Sequence, residues 1–227
     1  MTKAIRIHQT GGPEVLTWET VALGEPGPGQ IVMTQTAVGI NYIDIYVRTG
    51  LYPSELPVVA GMEAAGVVTQ IGAGVSNLSV GDRVAYPMAM GAYAEARIID
   101  AAKVVKIPDS ISDQQAAAMM LKGLTAQYLL KRTLPQGGLK AGDFVLFHAA
   151  AGGVGLIACQ WAKALGLQLI GTAGSDEKCA LAKANWKFLP ARDEAGKKVP
   201  GTVHYAIAFR ISRRCPPPDG QTVCVFL

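Results

Sequence analysis

The sequence predicts an α/β protein in two parts, a β-barrel-like N-terminal domain followed by a domain built on a parallel sheet. Three observations carry that prediction. Residues 1 to about 110 alternate short strand-like runs with glycine and proline turns. Residues 143–165, DFVLFHAAAGGVGLIACQWAKAL, run from an apolar stretch through a small-residue turn into a helical pattern. A second apolar run, Leu167–Thr172, follows directly. The expected domains are 1–115 and 116–227, the second opening on a connecting helix.

In chain order, Ala4–His8 alternates with period two, Gly11-Gly12-Pro13 turns the chain, and Val15–Trp18 returns as a strand. Gly27-Pro28-Gly29 is a further turn, before a longer strand at Gln30–Val38. Val58-Val59, Gly61–Val68 and Ile71-Gly72 form the next extended segments, and Val80–Val84 turns tightly into another. Ser112 then opens a long helix. Ser112 with Gln115 fits a capping box, Ala116–Leu130 are strong helix formers, and Lys131 and Arg132 suit the negative end of the dipole. Phe144–Phe147 reads as a buried parallel strand. The helix after the glycine turn ends at Gly166, a C-cap residue.

The bulk numbers narrow the function. Of 227 residues, half are hydrophobic, enough for a real core, and a net charge of +4 lacks the clustered Lys/Arg stripe of a nucleic-acid binder. No apolar run reaches membrane-spanning length, and Met1-Thr2-Lys3-Ala4-Ile5-Arg6 does not open a signal peptide. Cys159, Cys179, Cys215 and Cys224 show no C-x-x-C spacing; a cytoplasmic location with reduced thiols is expected.

The glycine turn is where chemistry enters. Ala150-Ala151-Gly152-Gly153-Val154-Gly155 reads A-x-G-x-x-G, a dinucleotide-binding fingerprint with alanine for its first glycine. Gly152 lets backbone approach a pyrophosphate, and Gly155 lets the helix pack closely on the strand. The free N–H groups of the first helical turn, Gly153 and Val154 among them, hold phosphate charge with the helix dipole behind them. After the second strand the chain runs Gly171-Thr172-Ala173-Gly174-Ser175-Asp176-Glu177-Lys178. Small and hydroxyl residues, with Lys178 one turn into the next helix, suit a 2′-phosphate and favour NADP over NAD. Asp176 or Glu177 stays open as a ribose ligand.

Four stretches together carry a family resemblance. They are Gly11–Leu16; Gly39–Asp44 with Arg48–Pro53; Leu121–Leu130; and His148–Leu165. At these spacings the chain resembles the zinc-independent quinone oxidoreductases, the zeta-crystallin-like branch of the medium-chain dehydrogenase/reductases. The resemblance covers residues 1 to about 185. It implies a GroES-like catalytic domain, a Rossmann domain, NADPH, one-electron or hydride reduction of quinones, and a cytoplasmic homodimer. It places Asn41, Tyr46 and Tyr52 in the cleft beside the nicotinamide and Thr125 near the ring. The residues themselves leave bland readings open: Asn41 as a helix cap, the tyrosines as half-buried packing, Lys122 as a solvent-facing lysine.

No metal is expected. Zinc-dependent relatives carry Gly-His-Glu where this chain has Gly61-Met62-Glu63, no cysteine precedes Cys159, and His8 is the N-terminal domain's one histidine. Glu63 is read as structural and His148 as held by backbone bonds. The reaction then rests on a hydride from NADPH delivered to an electron-poor substrate. The alternatives are an enone or enoyl-thioester reductase on the same scaffold, or a non-catalytic NADPH-binding protein of the lens or RNA-binding kind.

After Ala184-Asn185 the family pattern breaks. Trp186–Ala191 stands where a glycine turn and strand are expected, and Ala191 precedes Arg192 where the family carries a tyrosine near the cofactor phosphate. Arg192 remains a candidate phosphate ligand. Pro216-Pro217-Pro218 cannot continue the helix expected there. The Rossmann part is therefore expected to be truncated or aberrant over 186–227, as an incomplete reading of a longer chain or a frameshifted or deleted gene rather than a naturally short form with a reduced sheet.

Overall fold

The computed structural model describes residues 1–133, 138–184 and the strand at 224–226. The chain divides into two units, Met1–Leu124 and Thr125–Leu227.

The first unit is built from eight short strands. β1 (Thr2–Ile7) pairs antiparallel with β2 (Leu16–Val21) and β4 (Val58–Val59). The longer strands β3 (Gln30–Gly39) and β5 (Glu63–Ile71) centre a second antiparallel sheet, in the order β7-β3-β5-β6-β8. Its other members are β6 (Arg83–Tyr86), β7 (Ala96–Asp100) and β8 (Val105–Lys106). A bridge from Ala4 to Ala94 links the first sheet to the loop before β7. Inward residues Ile31, Met33, Val68, Val84 and Tyr86 make the core, as period-two alternation requires. Tyr86 is fully buried; its hydroxyl bonds Gln35, and the Arg97 guanidinium lies 4.9 Å from its ring centre. Burial pushes its phenol above the ordinary value, against the pull of Arg97.

Several sequence readings shift here. Pro13–Val15 forms a 3-10 turn, so the returning strand starts at Leu16 rather than Val15. The fixed proline φ favours that turn. A helix not placed from periodicity, α1 (Tyr42–Arg48), follows Asn41. Strands β7 and β8 were also not foreseen, because each is short and carries charged residues.

α2 (Asp113–Lys131) begins as its capping box requires. The Ser112 N–H donates to Gln115 Oε1 at 2.9 Å, and the Gln115 N–H to Ser112 Oγ at 3.2 Å. Ala116 and Ala117 pack on Ala65, Ala85 and Ile107, which lays the small-residue face of α2 on the sheet. Arg83 fastens the helix start, with Nε and Nη2 donating to Asp113 Oδ1 at 2.9 and 2.6 Å and Nη2 to the Ile111 carbonyl at 2.6 Å. The boundary between the units falls inside α2.

The second unit holds β9 (Phe144–Phe147), α3 (Gly153–Ala164), β10 (Gln168–Ala173) and α4 (Asp176–Ala184). β9 and β10 pair in parallel, Phe144 against Gln168 through Phe147 against Gly171. β11 (Cys224–Phe226) adds antiparallel to the other side of β10. Gly166 takes φ +70°, the left-handed cap that ends α3. The core gathers Ala126, Leu130, Ala158, Ala162, Leu167 and Leu169 around free, buried Cys159, whose thiol burial pushes up to about 11.

β9 is less enclosed than its run of apolar residues suggests. Val145 and Phe147 pack against the core, but Phe144 and Leu146 point to the other face and are exposed. They line a cavity of about 490 Å³ with Leu129, Leu130, Leu139 and His148. Cys179 is disulfide-bonded, where reduced thiols were expected. Arg192 and residues 186–223 lie outside the described residues.

Candidate functional site

In the first unit, the sequence-derived residues gather at the start of α1. Asn41 is the N-cap of that helix, in extended backbone (φ −135°, ψ 154°), and its N–H donates to the Asp44 carboxylate at 2.8 Å. Asp44 Oδ2 also accepts from the Tyr93 hydroxyl at 2.7 Å, and Asp44 is 8% exposed. Burial, with that bond to a carboxylate, pushes the Tyr93 phenol well above its ordinary value. So Asn41 is a cap, and it is also more than a cap.

Its carboxamide faces inward onto a charge pair. Nδ2 donates to Glu63 Oε1 at 2.8 Å, and Oδ1 accepts from Lys122 Nζ at 2.8 Å. Glu63 is completely buried at the head of β5. Its Oε1 also receives Lys122 Nζ at 3.1 Å, and its Oε2 the Leu121 backbone N–H at 2.7 Å. Lys122 further donates to the Ile40 carbonyl at 3.3 Å. Gly39 is a glycine because a Cβ there would collide with the Glu63 carboxylate and the Ala117 carbonyl. Lys122 is therefore no free surface lysine; its side chain is 24% exposed.

Sequence reasoning named Asn41 but missed the Glu63–Lys122 pair. A signal existed. Glu63 opens the otherwise small and apolar run Glu63-Ala64-Ala65-Gly66-Val67-Val68, and a buried carboxylate demands a partner. Lys122 is the one charged residue between Asp113 and Lys131 in α2.

Tyr46 and Tyr52 come together with Tyr42. The Tyr46 and Tyr52 rings lie 5.4 Å apart and tilted by 59°, and the Tyr42 and Tyr46 rings 6.5 Å apart. The Tyr52 N–H donates to the Tyr46 carbonyl at 3.0 Å, which folds the chain after α1 back onto it. Tyr42 and Tyr52 are exposed, so these rings present aromatic surface to solvent. Among the described residues, no group of three or more His, Cys, Asp or Glu side chains is placed to hold a metal ion.

In the second unit, the glycine turn is a cradle. Ala149 stands at φ +55°, a left-handed conformation unusual for alanine. Two backbone bonds hold the corner, from the Ala150 N–H to the Thr172 carbonyl at 2.9 Å and from the Gly152 N–H to the Ala149 carbonyl at 2.8 Å. Ala150 is fully buried. Gly152 is the N-cap of α3, and a Cβ there would stand 3.1 Å from the Ala149 oxygen. At Gly155 a Cβ would run into the backbone of Ala149 and Ala150. No side chain caps the start of α3, so the N–H groups of its first turn are not taken up by a capping side chain.

At the end of β10, Gly174 leaves open space where a Cβ would be. Ser175 Oγ accepts from the Lys178 N–H at 3.3 Å and so caps α4. Lys178 is exposed on the first turn of that helix. Thr125 is half-buried on α2. His148 Nδ1 meets the Thr172 hydroxyl at 3.1 Å, so a side chain rather than the backbone holds it.

An alcohol dehydrogenase GroES-like domain matches residues 27–109. A GroES-like unit followed by a glycine-cradle unit on a parallel strand pair is the make-up of a medium-chain dehydrogenase/reductase. Within that class the chain is similar to the quinone oxidoreductases, as the sequence motifs implied. The quinone oxidoreductase of Pseudomonas aeruginosa is 52% identical over 185 residues, 81% of this chain and 56% of that protein. The quinone oxidoreductase of Escherichia coli, solved in complex with NADPH, superposes with a TM-score of 0.77 at 48% identity, covering 81% of this chain and 56% of that one. The 2-haloacrylate reductase of a Burkholderia species is 45% identical over 190 residues, 81% of this chain and 56% of that protein. The chain thus spans little more than half the length of these relatives.

Proposed function

We propose that the chain reduces quinones with NADPH and without a metal. The observation that carries this reading is the cradle of Ala149–Gly155, made by glycines that close backbone approach requires, in a chain 52% identical to a quinone oxidoreductase. The residues present fit the cofactor. The N–H groups at the start of α3, with the helix dipole behind them, bind the pyrophosphate; open Gly174, Ser175 and the Lys178 ammonium receive the 2′-phosphate. When bound, NADPH supplies a hydride.

Tyr46 and Tyr52 offer flat aromatic surface of the kind a quinone ring stacks on. Asn41, fixed by Glu63 and Lys122, sets the start of the helix that carries Tyr46. Thr125 is assigned to the nicotinamide side by the family resemblance. From the same resemblance we propose a homodimer in the cytoplasm; among the described residues, no helix is long and apolar enough to cross a membrane.

The similarity to a 2-haloacrylate reductase favours one second reading, reduction of an activated carbon–carbon double bond. Product analysis with 1,4-naphthoquinone and with 2-chloroacrylate under identical conditions separates the two. Hydroquinone formed at the higher kcat/KM supports the quinone reading; faster saturation of the acrylate sinks it.

A further inference from the structure

The Glu63–Lys122 pair has no place in the function so far except through Asn41, and its geometry is demanding. Glu63 is 0% exposed and accepts three hydrogen bonds, from a lysine, a carboxamide and a backbone N–H. A carboxylate taken wholly out of water is tolerated when a cation and further donors compensate it. The cation is Lys122. Lys122 of α2 donates directly to Glu63, and Tyr93, in the loop before β7, lies near enough for the Glu63 charge to bear on its phenol. Asp44 already holds the Asn41 N–H and the Tyr93 hydroxyl, and so adds negative charge nearby.

The same two side chains fix Asn41. An amide can present its oxygen or its nitrogen to a neighbour. With an acceptor-only carboxylate on one side and a donor-only ammonium on the other, only one orientation works. Asn41 in turn starts α1, which carries Tyr46. We propose that Lys122 and Glu63 are a positioning pair for the reduction, which fixes the Asn41 carboxamide and thereby the placement of α1 and Tyr46. The inference rests on the quinone-reductase reading above for its kinetic consequence, and on the structure alone for its effect on the fold.

The pair makes a prediction that packing alone does not. Without the ammonium, the buried Glu63 carboxylate is an uncompensated charge, which costs stability, and removing the carboxylate as well relieves that cost. Lys122→Met keeps most of the stem and removes the charge. Glu63→Gln in the same chain removes the carboxylate that suffers.

The experiment measures melting temperature and kcat/KM for a quinone in wild type, K122M and K122M/E63Q. The expected result is a melting temperature lowered in K122M and largely recovered in K122M/E63Q, with kcat/KM about tenfold lower in each variant that folds, carried mainly by KM. A K122M protein that does not fold, with the double variant folding, also supports the pair. No loss of stability in K122M, a double variant no more stable than K122M, or a folded double variant with the wild-type KM overturns it. If wild type reduces no quinone, the function proposed above fails, while the melting temperatures still test the pair.

Discussion

Replacing a helical glycine by alanine should have opposite signs at two places in this molecule. In a helix interior, alanine is favoured over glycine by about 1 kcal/mol. Gly123 sits inside α2, where a Cβ would meet the Met119 Cε at 3.6 Å, an ordinary contact with the end of a flexible side chain. Gly123→Ala therefore gains most of the helix term, and melting temperature rises by roughly 2–4 °C. Gly155 sits in the first turn of α3, where a Cβ collides with the Ala149 and Ala150 backbone. Overpacking of this kind costs about 1–3 kcal/mol. Backbone held by the Ala150–Thr172 and Gly152–Ala149 bonds gives less readily than a side chain, which places the cost at the upper end. After the helix term is subtracted, Gly155→Ala loses about 1–2 kcal/mol, a fall of roughly 2–8 °C. Thermal unfolding followed by circular dichroism measures both. A Gly155→Ala protein as stable as Gly123→Ala would refute the close approach of α3 to the turn, and with it the cradle.

Two further predictions follow from individual contacts. Lys178→Ala should weaken NADPH binding by about tenfold, the scale of one charge-assisted phosphate contact, and leave NADH nearly unchanged; titration of both cofactors by fluorescence checks this, and equal weakening would remove the assignment of Lys178 to the 2′-phosphate. The Thr36 hydroxyl and then the Arg83 guanidinium hold the Asp113 carboxyl below its ordinary value of 3.8. A depressed folded-state pKa gives stability that is present above the unfolded value and lost as pH falls below it. Asp113→Asn should therefore lower the melting temperature at neutral pH and converge with wild type in acid. A gap that persists at pH 2 would mean that the contact is not electrostatic.

How much of this was legible in the sequence depends on how locally each feature is determined. The α2 capping box could be read from Ser112 and Gln115, because both halves of the motif lie within one turn. The strand–turn–helix at Phe144–Ala164 was legible because the glycines, the apolar strand and the helix period agree with one another. Non-local features were not. Glu63 and Lys122 are far apart in the chain, and no periodicity joins them; only the cost of burying Glu63 hinted at a partner. β8 is two residues long and carries Lys106, so its pairing with β6 is a tertiary effect. Phe144 and Leu146 gave the signal of a strand buried on both faces, but the signal states what a strand can bury, not what covers it. Tyr46 and Tyr52 entered through family resemblance, and the 5.4 Å approach of their rings depends on how the chain after α1 turns back.

The most direct test of the central claim is NADPH oxidation, followed by absorbance, with a quinone added to the purified protein in the presence of a metal chelator. Quinone-dependent loss of NADPH that the chelator does not slow is expected, with much less turnover of NADH. A protein that binds NADPH in a stable complex and oxidises it with no quinone would contradict the account and leave a cofactor-binding protein without this chemistry.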